Sequence, residues 1–483
     1  MTVLCAFALL AIAGLAFDRP YDGERIRFAS ARPNWALLVG SATMLAASLA
    51  GYEYMTYRAS LAQQPYPAWL GGVRLVPILE IAPPLVHLPA AFPVLAEAFA
   101  LVQVALLAAV AYALRGATLS RGVCAVLAAF ALLMTGIAFA SRGLTSSDLY
   151  AYLYDAAYGI AAYHPQTLAP NGPFALTGHL WSFRMLPAAY GPVWLELVHA
   201  LAGSPGHVAL HIFVLRLLSA ISFAAVLGAL VALRVPAAFL GLVALDPALP
   251  YQYVADGHND LFGVALLLWA YVAAGRGFLV PALGLAVLAG GSKISFALIA
   301  PLAFASLSGV RQRVVWGSLA VVGSAVVSLS LAGLAYPHAL AQISTIFPTS
   351  GEPGGAFVPR LTTLAALALV GAAVFSRRTG WPGAWAFVAL GSVPFPWYLG
   401  WALPYLVLDA RRGIPFLVLL PLVAFAMTTT YAATWAWYPL AIAFPVAAAL
   451  LAYTRWHAVW AERVSARSCV AAVPVLEGRL GRG

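Results

Sequence analysis

Charge is what this sequence has least of. Of 483 residues, 26 are basic and 16 acidic, so 9% carry charge while 63% are apolar. A soluble globular chain of this length has roughly 25% charged residues, on the order of 120. The charges present are too few to cover a soluble surface of that size, and a mean hydropathy of +0.90 agrees. Lysine is nearly absent: Lys293 stands alone among arginines. The three cysteines, Cys5, Cys124 and Cys469, lack metal-ligand spacing, and their odd number argues against a disulfide framework. There is no Walker-type glycine loop, so the chain is not its own ATPase, and no histidine pair in an HExxH arrangement. A net charge of +10 and a pI near 9.6 suggest nucleic acid at first sight. The basic residues are scattered singly between apolar segments, however, which is the pattern of membrane loops and not of a phosphate-tracking patch.

What fills the sequence instead is long uncharged runs. Apolar segments lie near 3–17, 34–51, 93–114, 122–140, 208–233, 236–254, 261–275, 278–292, 294–308, 314–335, 361–375, 380–396, 398–409, 414–432 and 435–453. A bilayer crossing takes about 20 apolar residues. The pattern therefore predicts an all-α polytopic membrane protein of about 13–15 transmembrane or re-entrant helices, the short runs being broken or re-entrant. Residues 1–17 lack a basic leader and a convincing cleavage site and read as a first span, not a signal peptide. A single transmembrane domain is expected over 1–453, with a cytoplasmic tail at 454–483. No soluble domain and no clean internal repeat is visible.

Arginine sets the expected orientation. Nineteen arginines fall on one side of this map, among them Arg115, Arg121, Arg234, Arg276 and Arg311, against six acids. By the positive-inside rule that side is cytoplasmic. Polar stretches at 52–92, 141–207 and 336–360 are then outer loops. Part of the second, 189–202, is apolar enough for an amphipathic helix lying along the membrane surface.

Because polar groups are scarce, the candidates for chemistry are few. Asp148, in Ser146-Ser147-Asp148-Leu149-Tyr150-Ala151-Tyr152, follows the 122–140 span closely. A carboxylate held there can take a proton from a sugar hydroxyl, or it can simply cap a helix. Asp256-Gly257-His258-Asn259-Asp260 offers two carboxylates, an imidazole and an amide, able to bind a sugar, a phosphate or a metal, or to cap the next helix. Lys293, in Gly290-Gly291-Ser292-Lys293, suits a lipid-linked phosphate or a snorkelling interfacial role. Arg216 lies inside the 208–233 span and needs an anionic partner, either a phosphate or a structural carboxylate. His207 and His211 are four apart on that span. Trp397 and Tyr398 can stack on a sugar ring or anchor at an interface.

The order of these motifs is more specific than any one of them. Ser147-Asp148-Leu149-Tyr150-Ala151-Tyr152 comes first, then Tyr163-His164-Pro165 and Ala189-Tyr190-Gly191-Pro192-Val193-Trp194. Leu245-Asp246-Pro247, Gly257-His258-Asn259-Asp260, Ser292-Lys293 and Phe395-Pro396-Trp397-Tyr398 follow. The series resembles the GT-C superfamily of membrane glycosyltransferases, closest to the polyprenol-phosphate-mannose-dependent mannosyltransferases of bacterial envelopes. The resemblance covers about residues 140–405. His164 and Asp246 stand where that family has asparagine before proline.

The resemblance implies an inverting transfer of a sugar, expected to be mannose, from a polyprenyl-phosphate donor to a lipid-linked or envelope-glycan acceptor. The site would face the periplasm or exterior of a bacterial inner membrane. It implies Asp148 as general base, and Lys293, Arg216 and Arg184 at the donor phosphate. Tyr152, Tyr190, Asp256, His258, Asn259, Asp260, Trp397 and Tyr398 would line the sugar and acceptor pocket. No cofactor and no nucleic acid is implied, and a monophosphate donor leaves a metal little obligatory work. The alternative is a multi-pass transporter or flippase for a lipid-linked sugar, but the polar residues gather at one face and no inverted repeat is visible. An O-antigen-ligase-like or oligosaccharyl transferase would carry a large late loop, and 336–360 is too short for one.

Overall fold

A computed structural model describes residues 32–63, 92–141, 146, 148–165, 186–203 and 208–346. Among the described residues every regular element is helical. The expectations for 1–17, the segments from 361 onward and the tail at 454–483 lie outside them.

The first long helices are α1 (Trp35–Gln63), α2 (Phe92–Ala113) and α3 (Arg121–Phe139). In α3 the Ser120 hydroxyl accepts from the Val123 N–H at 3.3 Å, capping the first turn. Val123, Leu127, Ala131, Met134 and Ala138 then recur every three or four residues and form the buried stripe. Leu132 is 73% exposed on the opposite side, as a lipid-facing leucine would be. The helix α1 packs on both α2 and α3. The expected loop at 52–92 is thus shortened, since α1 continues for several turns beyond the last residue of the 34–51 run.

Next come the short α4 (Asp148–Tyr158), a 3-10 turn (Gly159–Tyr163) and α5 (Pro192–Ala202). The 189–202 amphipathic segment is α5, whose buried Trp194, Leu195 and Val198 pack against α4. After these, α6 (Val208–Ala232) and α7 (Ala237–Leu245) lead into a single turn (Ala248–Pro250) and a π-helical turn (Tyr251–Ala255). The expected 236–254 span is therefore broken. Asp246 turns back on itself, its Oδ1 accepting from the Ala248 N–H at 3.0 Å, and Pro247 and Pro250 each remove a helical donor.

The helices α8 (Asp260–Gly275), α9 (Leu279–Ser292), α10 (Ile294–Ile299), α11 (Val310–Ala332) and α12 (Ala335–Ile346) complete the described chain. The buried face of α9 is Ala282, Ala286, Ala289 and Gly290, small residues that let it lie close to α8 and α11. Four helical stretches are long and apolar enough to cross a membrane: Trp35–Ala59, Arg121–Phe139, Leu210–Ala232 and Val310–Ala332. The molecule is an all-α polytopic membrane protein.

Chain direction sorts the helix ends. Arg115, Arg121, Arg234, Arg276 and Arg311 occupy the turns at one end of α2, α3, α6, α8 and α11. Ser141, Asp148, Asp256, Asp260 and Lys293 occupy turns at the opposite ends of α3, α7, α8 and α9. The sparse polar chemistry is gathered at the end opposite these five arginines.

Candidate functional site

Asp148 is the first residue of α4, and its N–H donates to the Ser146 hydroxyl at 3.2 Å. Asp148 is thus inside the helix, and its carboxylate sits in the positive field of a helix N-terminus. Its Oδ2 lies 3.1 Å from Nδ1 of His258. The Asp148 side chain is 22% exposed while His258 is fully buried, so the imidazole backs a carboxylate that can still be reached from outside.

The residues that follow His258 repeat this arrangement. Tyr152 Oη donates to Asn259 Oδ1 and accepts from the Asn259 N–H, both at 3.3 Å. Lys293 Nζ donates to Asp260 Oδ1 at 2.7 Å, with the Asp260 side chain 1% exposed and that of Lys293 11%. Three consecutive residues thus tie two places together: His258 and Asn259 hold Asp148 and Tyr152 of α4, and Asp260 holds Lys293 after α9. Gly257 makes the turn possible. Its φ of +77° belongs to the left-handed region, and a Cβ there would press on the Leu149 side chain.

Aromatic rings fill the space between the two charged pairs. The Tyr152 ring meets Tyr190 edge-on at 5.0 Å and Trp194 at 5.4 Å. Lys293 Nζ sits 5.6 Å from the Tyr190 ring centre. Burial, and then the negative charges of Asp148 and Asp260, push the Tyr152 phenol well above its usual value. It stays a neutral hydroxyl that can donate to Asn259. Tyr163 Oη donates to the Tyr190 carbonyl at 2.8 Å, so the Tyr163-His164-Pro165 motif supports the Tyr190-Gly191-Pro192 motif. The Gly191 N–H donates to the Ser292 carbonyl at 2.7 Å, and a Cβ on Gly191 would overlap the Gly291 carbonyl. Only glycine allows the backbone before α5 to lie this close to the chain that carries Lys293.

Arg216 occupies a different place from the one expected. It is fully buried in α6, and its hydrogen bonds run to the main chain: Nη1 to Phe139 O at 3.0 Å and Ser141 O at 2.8 Å, Nε and Nη2 to Ala255 O at 3.2 and 2.8 Å. A phosphate-facing guanidinium is not what these bonds describe. The anionic partners that sequence reasoning required are Glu53 and Asp256, both in electrostatic contact with it. Glu53, buried within α1, accepts from the Ser141 hydroxyl. Asp256 faces Gln252, whose amide donates to Oδ2 at 3.5 Å, and lies in the electrostatic neighbourhood of Arg216.

Glu53 and Ser141 are the contributors that sequence reading did not single out. For Glu53 a signal existed, a carboxylate flanked by apolar residues. For Ser141 there was none. His211 is buried in α6, while His207, Arg184, Trp397 and Tyr398 lie outside the described residues. No group of three His, Cys, Asp or Glu side chains gathers as a metal site among the described residues.

A family model for the N-terminal domain of alpha-(1->6)-mannopyranosyltransferase matches residues 38–309, more than half of the chain. The chain belongs to that mannosyltransferase family. No curated protein and no solved structure gives a significant match. The matched stretch starts in α1, about a hundred residues before the motif series read from the sequence, and so takes in Glu53 as well as Asp148, His258, Asp260 and Lys293. A mannosyltransferase needs a sugar donor and an acceptor, and membership favours a transferase over the transporter alternative.

Proposed function

We propose that the protein is an inverting mannosyltransferase of the GT-C type that uses a polyprenyl-phosphate mannose donor. The observation that carries this reading is the convergence of Asp148–His258 and Lys293–Asp260 at one end of an apolar helical bundle. It supplies a reachable carboxylate and a compact cation beside an aromatic wall, in a protein whose family transfers mannose.

In this reading an acceptor hydroxyl approaches Asp148. Its oxygen attacks the anomeric carbon, the bond from that carbon to the phosphate oxygen breaks, and the polyprenyl phosphate leaves with the electron pair. The hydroxyl proton passes to the Asp148 carboxylate. Attack opposite the leaving group inverts the centre, so a β-linked donor gives the α-(1→6) linkage of the family's name. His258 fixes the carboxylate through Nδ1. Lys293 supplies positive charge where the phosphate develops negative charge, and positioning accounts for much of the remaining rate. Tyr152, Tyr190 and Asn259 line the sugar side, and Asp260 orients Lys293. Trp397, Tyr398 and Arg184 are supported as further contacts by residue type and motif order alone. The acceptor is a lipid-linked or envelope glycan, and the arginine-poor end is the extracytoplasmic one.

The test is transfer by purified protein in detergent, with labelled polyprenyl-phosphate mannose as donor and a membrane lipid extract as acceptor. Label should move into a new lipid or glycan, and should do so in EDTA. Transfer from a nucleotide-linked mannose in place of the lipid donor would overturn the donor assignment.

A further inference from the structure

The inner polar group leads to a residue that acts on the reaction without touching substrate. The Arg216 guanidinium joins two stretches of chain that are far apart in sequence: the end of α3, through Phe139 O and Ser141 O, and the π-turn, through Ala255 O. Each stretch precedes a member of the Asp148–His258 pair in the sequence. Asp148 lies seven residues after Ser141, and His258 three after Ala255. A guanidinium suits this because its planar fork presents several N–H groups in fixed directions, whereas an ammonium is a single point on a flexible stem. Glu53 draws α1 into the same group by accepting from the Ser141 hydroxyl, and with Asp256 it balances the buried charge.

Among the described residues Arg313 is also fully buried, and it is a natural control. Arg313 Nη1 also donates to carbonyls, of Leu307 at 2.9 Å and Ser308 at 3.5 Å, but these belong to the turn just before its own helix at the arginine-rich end. These two hydrogen bonds close a local turn, whereas those of Arg216 join two stretches far apart in sequence.

We propose that Arg216 is a positioning residue, whose guanidinium sets the spacing of the two segments bearing Asp148 and His258 and so maintains the 3.1 Å contact between them. The proposal rests on Asp148 being the base. It converts the region around Glu53, outside the motif series, into part of the machinery that aligns the site.

The experiment compares wild type, Arg216→Lys and Arg313→Lys as purified monodisperse protein. It measures kcat and the donor KM with polyprenyl-phosphate mannose, and hydrogen exchange of peptides covering 146–158 and 251–262. A displacement of about 1 Å at a reacting group can cost on the order of 100-fold in rate. Arg216→Lys should therefore lose about ten- to a hundredfold in kcat with donor KM within about threefold of wild type. Exchange should rise in both peptides together. Arg313→Lys should keep wild-type kcat per folded molecule and leave both peptides protected. A raised donor KM with kcat retained would return Arg216 to the phosphate and overturn the proposal, as would unchanged kcat per folded molecule. Should Arg216→Lys not fold, Ser141→Ala removes the hydroxyl that donates to Glu53 while leaving the Ser141 carbonyl that Arg216 binds. It should lower kcat about threefold at unchanged KM, and an unchanged kcat would again overturn the proposal. Inactive wild type would count against the donor reading alone, because coupled exchange of the two peptides still judges the link.

Discussion

This bundle holds two polar groups, and they are built differently. In the outer group side chain meets side chain: Asp148 with His258, Tyr152 with Asn259, Asp260 with Lys293. In the inner group a fully buried guanidinium meets backbone carbonyls, with two buried carboxylates around it. Contacts between side chains can be exchanged for ligand atoms by rotating a rotamer or two. Carbonyls belong to the main chain, and leaving them unsatisfied in a buried place carries the full desolvation penalty. On the proposed reading the outer group opens to a substrate, while the inner one stays fixed and keeps the outer one in register.

The sharpest way to break this comparison is at the base. Asp148→Asn keeps the size of the side chain and its hydrogen bonding but cannot accept the proton. It should lower kcat by about 10²–10⁴-fold, the usual contribution of a positioned base, with little change in unfolding temperature. Substantial residual turnover in initial-rate assays would take Asp148 out of that role. Lys293→Ala comes next. If Lys293 contacts the donor phosphate, loss of a charged hydrogen bond of about 1.5–3 kcal/mol should raise donor KM roughly ten- to a hundredfold. It also removes the cation from the buried Asp260 carboxylate, so the variant should be less stable by about 3–5 kcal/mol in denaturant titration. Stability lost with KM unchanged would make the Lys293–Asp260 pair structural only.

Smaller effects sharpen the contrast. Gly257→Ala forces a Cβ into the left-handed region and against Leu149, at a cost of about 1–3 kcal/mol. Because Leu149 adjoins Asp148, kcat should fall along with stability. Wild-type values of both would show that the turn tolerates a side chain. The smallest effect concerns Asp155, buried in α4 with neither carboxylate oxygen hydrogen-bonded among the described residues. Burial first, and then the charge of Asp148, push its pKa well above the ordinary carboxylate range. A carboxyl whose folded pKa is raised favours the folded state fully at pH below its unfolded value, and that favour is lost as pH rises through the folded value. Asp155→Asn should therefore gain unfolding temperature relative to wild type on going from pH 5 to pH 8. An equal difference at both pH values would mean that Asp155 is ionised in place.

Much of the fold was legible because it depends on local composition. The runs at 93–114, 122–140 and 208–233 became α2, α3 and α6 within a residue or two, since apolar length alone sets a membrane helix. Where charge or proline interrupts a run, local reading failed in both directions. Glu53 looked like the start of a loop, yet α1 carries it inward to Ser141 and Arg216. The 236–254 run looked continuous, yet Asp246, Pro247 and Pro250 divide it. Residue type and motif order pointed to Asp148, His258 and Lys293. Their pairing was not legible, because the partners stand 110 and 33 residues apart and no periodicity links them. Arg216 was legible as needing an acid, and it found two, but the carbonyls that take its hydrogen bonds have no sequence signature.

The run His258-Asn259-Asp260 works as a three-tooth key. Two teeth engage α4 and the third engages Lys293, so the spacing matters along with the chemistry, and a one-residue deletion between Gly257 and Asp260 would put these contacts out of register. For anyone building chimaeras within this family, the safe joints are the arginine-end turns, such as the one around Arg276. The segments around 148–152, 256–260 and 290–293 should be inherited as one set from one parent.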